Sequence, residues 1–236
     1  AGGRVKHMAL AMSDVLRESF EDVRASLARQ KSRVLVATGP RTGVEIPAPT
    51  IHHDADLYVA SLPGVFAAEK VDIGTRFLLP HVEGLEPAEG HTPLAVDLGS
   101  GSGVLAAALH RARPEYRIVA SDDSAVAAAT SAATWQQNFP EDDLEVRHDF
   151  GLSQQGGGTV DLVLCNPPFH SGAGVTPEVA NSLFAEAGRV LKPGGVMLTV
   201  FNSHLPHRRA LERLVGPTEQ LARNNKFTVT RSVRSR

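Results

Sequence analysis

The residues that define a chemistry most narrowly are Asn166, Pro167, Pro168 and Phe169, which follow directly on the apolar run Val160 to Cys165. The Asn166 side chain offers a carbonyl oxygen, and the Pro167 main-chain carbonyl offers a second. Two such acceptors suit an amino group on a planar system, which is a poor nucleophile because its lone pair is delocalised into the ring. Each acceptor takes one N–H, draws the nitrogen toward tetrahedral geometry and aims the lone pair at an electrophile. The prolines restrict φ and lack an N–H, which stiffens the turn that presents the acceptors. Phe169 adds a ring face on which a base can stack. Holding the reacting atoms about 3–3.5 Å apart is then the main catalytic contribution. Such an amine is unprotonated near neutral pH, so no strong general base is needed. Asn166, Pro167 and Phe169 are therefore the catalytic candidates, with Pro168 beside the target. An Asn-Pro turn after a strand is common by itself, and the reading rests on what surrounds it.

A second cluster would hold the electrophile. Asp97-Leu98-Gly99-Ser100-Gly101-Ser102-Gly103 ends another apolar run, and its glycines allow a tight turn and a close approach of backbone N–H groups to a ligand. A dinucleotide fingerprint would place glycine at position 104, where this chain has Val104. Nicotinamide cofactors are thereby disfavoured. Asp122, about 20 residues further on, is placed to accept both ribose hydroxyls of an adenosyl group, with Asp123 as a helix cap. Asp149, after the next strand, could accept from an adenine amino group. The cofactor-binding candidates are Asp97, Gly99, Gly101, Gly103, Asp122, Asp149 and Asn166.

Positioning these groups requires alternating strands and helices. Strands are expected at Leu94 to Leu98, Ile118 to Ser121, Leu144 to Arg147, Val160 to Cys165, Val196 to Phe201 and Phe227 to Val233. Helices are expected at Val104 to Arg111, Ala125 to Gln136 and Glu178 to Leu191, the last stopped by Lys192-Pro193-Gly194-Gly195. Alternation of this kind predicts a mostly parallel, doubly wound α/β sheet, which binds ligands beyond the carboxyl ends of its strands. Upstream, Val15, Leu16, Phe20, Val23 and Leu27 recur at helical spacing after a cap at Ser13-Asp14. Arg33 to Thr38 and Asp56 to Leu62 read as strands. Residues 1–60 are thus expected to form a small N-terminal appendage, with residues 1–8 a tag remnant, and residues 61–236 the catalytic domain.

The succession of glycine loop, ribose-side acid and adenine-side acid resembles the Rossmann-like class I S-adenosylmethionine methyltransferases. That resemblance implies a seven-stranded, mostly parallel sheet with an antiparallel last strand. Further segments narrow it: Pro63-Gly64-Val65-Phe66, Asp72-Ile73-Gly74-Thr75-Arg76-Phe77-Leu78-Leu79, Asn202-Ser203-His204-Leu205 and Asn224-Asn225-Lys226-Phe227. Together with Asn166 to His170 they resemble the bacterial ribosomal RNA guanine-N2 methyltransferases, small-subunit methyltransferase C and large-subunit methyltransferase G, over roughly residues 50 to 236. The resemblance implies S-adenosyl-L-methionine as cofactor, Phe66 over the cofactor pocket, and Pro168, Phe169, His170 and Asn225 as substrate contacts. It also implies ribosomal RNA or a ribosomal subunit as partner. In this family a degenerate N-terminal copy of the domain usually helps to bind RNA, and only its trailing segment could be present here, so the chain reads as a catalytic half. Ser100 and Ser102 stand where Cys and Asn are common.

On chemistry alone, adenine N6 and the side-chain amide of a protein glutamine remain open, as does a silent RNA-binding module of the same fold. Glutamine enzymes usually carry Tyr where this chain has Phe169, and the intact acids and glycines disfavour a silent module.

Composition limits the surroundings. With 42% hydrophobic and 21% charged residues, the 236-residue chain is of globular type and can bury one substantial core. The net charge of −2 does not by itself mark a nucleic-acid binder, so RNA contacts must come from local charge. Such a concentration lies at the end of the chain, in Arg208, Arg209, Arg213, Arg223, Lys226, Arg231, Arg234 and Arg236, opposed by Glu212 and Glu219. A single cysteine, Cys165, excludes an intrachain disulfide, and its place at a strand end reads as a small buried hydrophobe. His52-His53 and His204-x-x-His207 lack companion ligands, so no metal is expected. Neither a secretory signal nor a membrane span is evident, and a cytoplasmic location is expected.

Overall fold

The computed structural model describes residues 2–44, 48–65, 70–85, 92–168 and 177–235. The chain divides into two compact units, Ala1–Pro47 and Ala48–Arg236. Residues 48–60, grouped with the appendage on sequence, thus belong to the second unit.

In the first unit, β1 (Gly2–Arg4), a 3-10 turn (Val5–His7), α1 (Ala11–Ser19), β2 (Phe20–Ala25) and β3 (Ser32–Pro40) follow one another. The strands form an antiparallel sheet of order β1-β3-β2. The helix expectation is corrected here. The helix expected to run from Ser13 through Leu27 ends at Ser19, because Phe20 to Ala25 pairs with Pro40 to Leu35. Its helix begins at Ala11 after Leu10, so Ser13 and Asp14 lie inside it rather than capping it. Gly2 to Arg4, set aside as a tag remnant, pairs with Val34 to Ser32.

The second unit opens with the hairpin β4 (Thr50–Asp54) and β5 (Leu57–Ser61). It is tied down by α4 (Ala125–Asn138): Ala60 N donates to Thr134 Oγ1 at 3.0 Å, and Tyr58 N to Asn138 Oδ1 at 2.9 Å. Then come α2 (Ile73–Glu83), β6 (Leu94–Leu98), α3 (Val104–Ala112) and β7 (Arg117–Asp122). After α4 follow β8 (Glu145–His148), β9 (Val160–Cys165), α5 (Pro177–Val190), β10 (Leu191–Asn202), α6 (His207–Leu214), β11 (Thr218–Arg223) and β12 (Phe227–Val233).

Seven strands form one sheet in the order β11-β12-β10-β9-β6-β7-β8. Pairings from β10 through β8 are parallel, and β12 runs antiparallel to both its neighbours. Side chains alternate between two cores, as the period of two along a strand requires. Leu162 and Leu164 of β9 face the core built with α2 and α3, whereas Val163 and Cys165 face the core that includes Phe184, Ala187 and Leu211 of α5 and α6. The Lys192 to Gly195 stretch is a register shift within β10, where Lys192 Nζ donates to both Asp161 oxygens at 2.8 and 2.9 Å. No helix among the described residues is long and apolar enough to cross a membrane.

Candidate active site

Strand order reverses beside β6, and the candidate residues collect at the carboxyl ends of β6, β7, β8 and β9. There they line a cavity of about 260 Å³. Its floor is the glycine loop. Gly99, Gly101 and Gly103 have φ of +73°, +56° and +76°, in the left-handed region that favours glycine. They differ in purpose. Among the described residues a Cβ on Gly99 or Gly101 would meet nothing within 4 Å, so those two positions leave an open cradle. A Cβ on Gly103 would lie 2.9 Å from Ser131 Cα, so that glycine lets α3 approach α4. Ser131 also holds the loop directly: its Oγ donates to Gly101 O at 3.1 Å and lies 2.9 Å from Ser100 Oγ.

Gly103 has no side chain with which to cap α3, and Asp97 supplies that cap from the strand. Its Oδ2 accepts Ala106 N at 3.0 Å, in the first turn of the helix. Asp97 Oδ1 is buried and has no partner among the described residues. Burial pushes the Asp97 carboxyl up to about 7, opposed by the Ala106 N–H and assisted by the neighbouring Asp122 charge.

Asp122 closes the far side of the loop. Its Oδ2 accepts Gly101 N and its Oδ1 accepts Ser124 N, both at 2.9 Å. Each oxygen retains a lone pair that a ribose hydroxyl could use. Burial raises its pKa above the usual carboxylate range, against the two backbone N–H groups that lower it. Asp149 lines the same cavity, but its carboxylate is turned to its own chain: Oδ1 accepts Ser153 Oγ at 2.6 Å and Oδ2 accepts Gln154 N at 3.2 Å. Desolvation pushes its pKa up, and these hydrogen bonds outweigh it, so the carboxyl titrates lower than usual. The adjacent Phe150 is 66% exposed and lines the cavity, a ring face that sequence reading passed over.

Asn166, Pro167 and Pro168 form the wall opposite, at the end of β9. Asn166 Nδ2 donates to Asp72 Oδ2 at 2.9 Å and to Thr75 Oγ1 at 2.8 Å. Both amide hydrogens are thus engaged. Asn166 Oδ1 is buried without a partner among the described residues, and a buried carbonyl oxygen left unpaired costs about 1–3 kcal/mol unless a ligand supplies a donor. Asp72 and Thr75 were not expected to belong to the site. Locally Asp72 reads only as a helix cap, since its Oδ2 also accepts Gly74 N and Thr75 N at the start of α2.

Some candidates are not brought to the cavity. Asn225 sits exposed in the turn between β11 and β12 and does not line it. Its neighbour Asn224 shapes that turn, with Oδ1 accepting Lys226 N and Phe227 N. Phe66, Phe169 and His170 lie outside the described residues. Of the C-terminal basic residues, Arg208 pairs with Glu212 and Arg231 with Glu219, so part of that charge is balanced locally. Cys165 is wholly buried, which pushes its thiol far above neutrality and leaves it inert.

The open glycine cradle and the two acids with spare acceptor capacity fit an adenosyl cofactor bearing an electrophile. Comparison with known proteins bears on which family built this site. The methyltransferase small domain matches residues 56–231. The chain belongs to that family. Among curated proteins, relatives are found over nearly the whole chain. Ribosomal RNA large subunit methyltransferase G of Stutzerimonas stutzeri is 36% identical over 238 residues, covering 100% of this chain and 62% of that protein. The protein of the same name from Streptomyces coelicolor is 36% identical over 242 residues, covering 98% and 63%. The chain therefore spans a little over three-fifths of the length of these relatives. A solved structure of the T. thermophilus 16S rRNA N2 G1207 methyltransferase, in complex with AdoMet and guanosine, superposes with a TM-score of 0.72 at 24% identity, covering 92% of this chain and 59% of that one. That likeness shows a shared fold, and the seven-stranded sheet expected from sequence is present in this chain.

Proposed function

We propose that this chain catalyses S-adenosylmethionine-dependent methylation of the exocyclic N2 amino group of a guanine in ribosomal RNA. The observation that carries the reading is Asn166 Oδ1, buried and without a partner among the described residues, in a residue that lines the glycine-loop cavity. A carbonyl oxygen in that state calls for an N–H donor from a ligand, and the amino group of a base is such a donor.

S-adenosylmethionine, when bound, would supply an electrophilic methyl group to the target nitrogen, with the C–S electron pair passing to its own sulfur. The chain's own residues do the rest. Gly99 and Gly101 admit the cofactor close to the backbone, and the free lone pairs of Asp122 receive ribose hydroxyls. Asn166 Oδ1 and the Pro167 carbonyl each take one N–H of the target, which fixes the direction of its lone pair. The methylated nitrogen is a strongly acidic cation and loses its proton to water, so no residue needs to serve as a strong base. Asp149 remains a proposed adenine-side contact, through the lone pairs that Ser153 and Gln154 leave free, with Phe150 as an adjoining face. Phe169 would stack on the base, with Pro168, His170 and Asn225 as substrate contacts and Phe66 over the cofactor.

The names of the relatives favour large-subunit ribosomal RNA, and the bound guanosine of the structural neighbour favours guanine over adenine or a glutamine amide. The target must present its Watson–Crick edge, which calls for a looped or flipped nucleotide rather than a closed helix. The unit Ala48–Arg236 would be the catalytic domain, acting in the cytoplasm on RNA or a ribosomal subunit and needing neither metal nor membrane.

Transfer of tritiated methyl to ribosomal subunits, free ribosomal RNA and a protein release factor tests this reading. Label is expected in RNA. Label confined to protein would refute it in favour of glutamine methylation, and cofactor binding without any transfer would favour a silent module.

A further inference from the structure

We infer that Asp72 and Thr75 are positioning residues that set which way the Asn166 amide faces, and so make it an acceptor for the target amine rather than a donor. The inference rests on the reading above and adds to it a part for the α2 N-terminus.

A side-chain amide is nearly symmetric in shape, with oxygen and nitrogen exchanged by a half-turn about χ2. Only one of the two orientations suits the proposed chemistry. With Nδ2 toward the target, two sets of N–H donors would oppose each other and the amine would lose its acceptor. Pro167 and Pro168 stiffen the main chain after Asn166 but leave that half-turn free. What prevents it lies elsewhere. Asp72 Oδ2 stands 2.9 Å from Asn166 Nδ2 and Thr75 Oγ1 stands 2.8 Å from it. An ionised carboxylate can only accept, so turning Oδ1 toward Asp72 would set two acceptor oxygens against each other.

The brace is itself fixed. Asp72 Oδ2 accepts Gly74 N at 2.8 Å and Thr75 N at 3.1 Å, so the same oxygen that caps α2 holds Asn166. Gly74 leaves room for that carboxylate, because a Cβ there would lie 2.9 Å from Asp72 Oδ2 and 3.1 Å from the Phe227 ring. The arrangement leaves Asn166 Oδ1 buried and, among the described residues, without a partner, in a side chain whose nitrogen is fully engaged and whose residue lines the cavity. A merely structural asparagine would satisfy its oxygen within the fold, as Asn224 does in its turn.

The test pairs Thr75→Val, which keeps the shape and removes one acceptor, with Thr75→Ser, which restores it. Asn166 side-chain NH2 signals are identified in a nitrogen–proton correlation spectrum by their loss in Asn166→Ala. In Thr75→Val one of the two proton signals is expected to move upfield, and in Thr75→Ser to return. Asp72→Asn retains a capping oxygen for Gly74 and Thr75 but removes the charge, and is expected to move the same signals even where Thr75→Val does not fold. Methyl transfer at saturating cofactor and RNA is expected to fall roughly 10- to 100-fold in Thr75→Val, with KM for RNA little changed. In an Asn166→Ala background the same change is expected to cost nothing further, because the group it orients is gone. Unmoved amide signals in both variants, or a loss that adds fully to that of Asn166→Ala, would overturn the inference. The spectra need no substrate, so a wild-type protein inactive on RNA would sink the proposed function while leaving the orientation test to be read.

Discussion

Asn166 Nδ2 donates to Asp72 Oδ2 at 2.9 Å, joining the end of β9 to the cap of α2 across 94 residues of sequence. The contact turns a common Asn-Pro turn into one with a defined polarity. It leaves the carbonyl oxygen of Asn166, a residue that lines the glycine-loop cavity, buried and without a partner among the described residues.

Replacing that oxygen should therefore stop the chemistry before it disturbs cofactor binding. Asn166→Ala is expected to lower turnover roughly a thousandfold, the scale seen when a preorganised hydrogen-bonding group is removed from a reacting centre. Cofactor affinity, measured by calorimetry, is expected to stay within about threefold, since the change corresponds to well under 1 kcal/mol. Retained turnover would contradict the role given to Asn166.

Asp122→Ala should do the reverse. Loss of a carboxylate that can accept ribose hydroxyls is expected to weaken cofactor binding roughly 10- to 100-fold, the range of one or two charge-assisted hydrogen bonds. Turnover at saturating cofactor should fall less. Calorimetric titration with the cofactor and its demethylated product checks both halves.

The glycines of the loop separate fold from ligand. Gly103→Ala combines a φ of +76° with a Cβ 2.9 Å from Ser131 Cα, and is expected to destabilise the protein by roughly 2–4 kcal/mol. Gly101→Ala meets no atom of the described residues within 4 Å and bears the backbone strain, about 1–2 kcal/mol, while its methyl group intrudes on the cradle. Urea unfolding and cofactor titration of the two variants should therefore rank them in opposite order.

Asp97 gives the stability a pH dependence of known sign. Its carboxyl titrates at about 7 when folded, against 3.8 for the ordinary group. Between those values the folded chain holds a proton that the unfolded chain has released, so this residue's contribution to stability falls as pH rises through the window. The loss is complete above it. Asp97→Asn is expected to raise Tm by several degrees near roughly pH 8 and to change it little near roughly pH 4. An equal effect at both would show that the buried charge is not the cause.

Much of this was legible before any coordinates. Leu94 to Leu98 and Val160 to Cys165 are mostly apolar runs that stop at Gly99 and Asn166, and the strands β6 and β9 carry the same limits, as β12 does those expected for Phe227 to Val233. The doubly wound alternation placed Asp97, Gly99, Asp122 and Asn166 at one edge of the sheet, because parallel strands share a carboxyl end. What escaped depends on long-range pairing. Phe20 and Val23 continue a helical spacing from Val15, yet hydrogen bonding to β3 prevails and the segment is extended. Strand β11, with Glu219 and Arg223, lacks an apolar run and is defined only by its ladder with β12. The link from Asn166 to Asp72 and Thr75 has no local signature, since a capping aspartate looks the same whether or not a distant amide docks on it.

The most direct measurement is of the product. Ribosomal RNA incubated with the protein and S-adenosylmethionine, digested to nucleosides and separated by mass spectrometry, should contain N2-methylguanosine above its level in untreated RNA. The same digest after incubation with Asn166→Ala should not. N6-methyladenosine in its place, or RNA unmodified by a folded protein that binds the cofactor, would contradict the account.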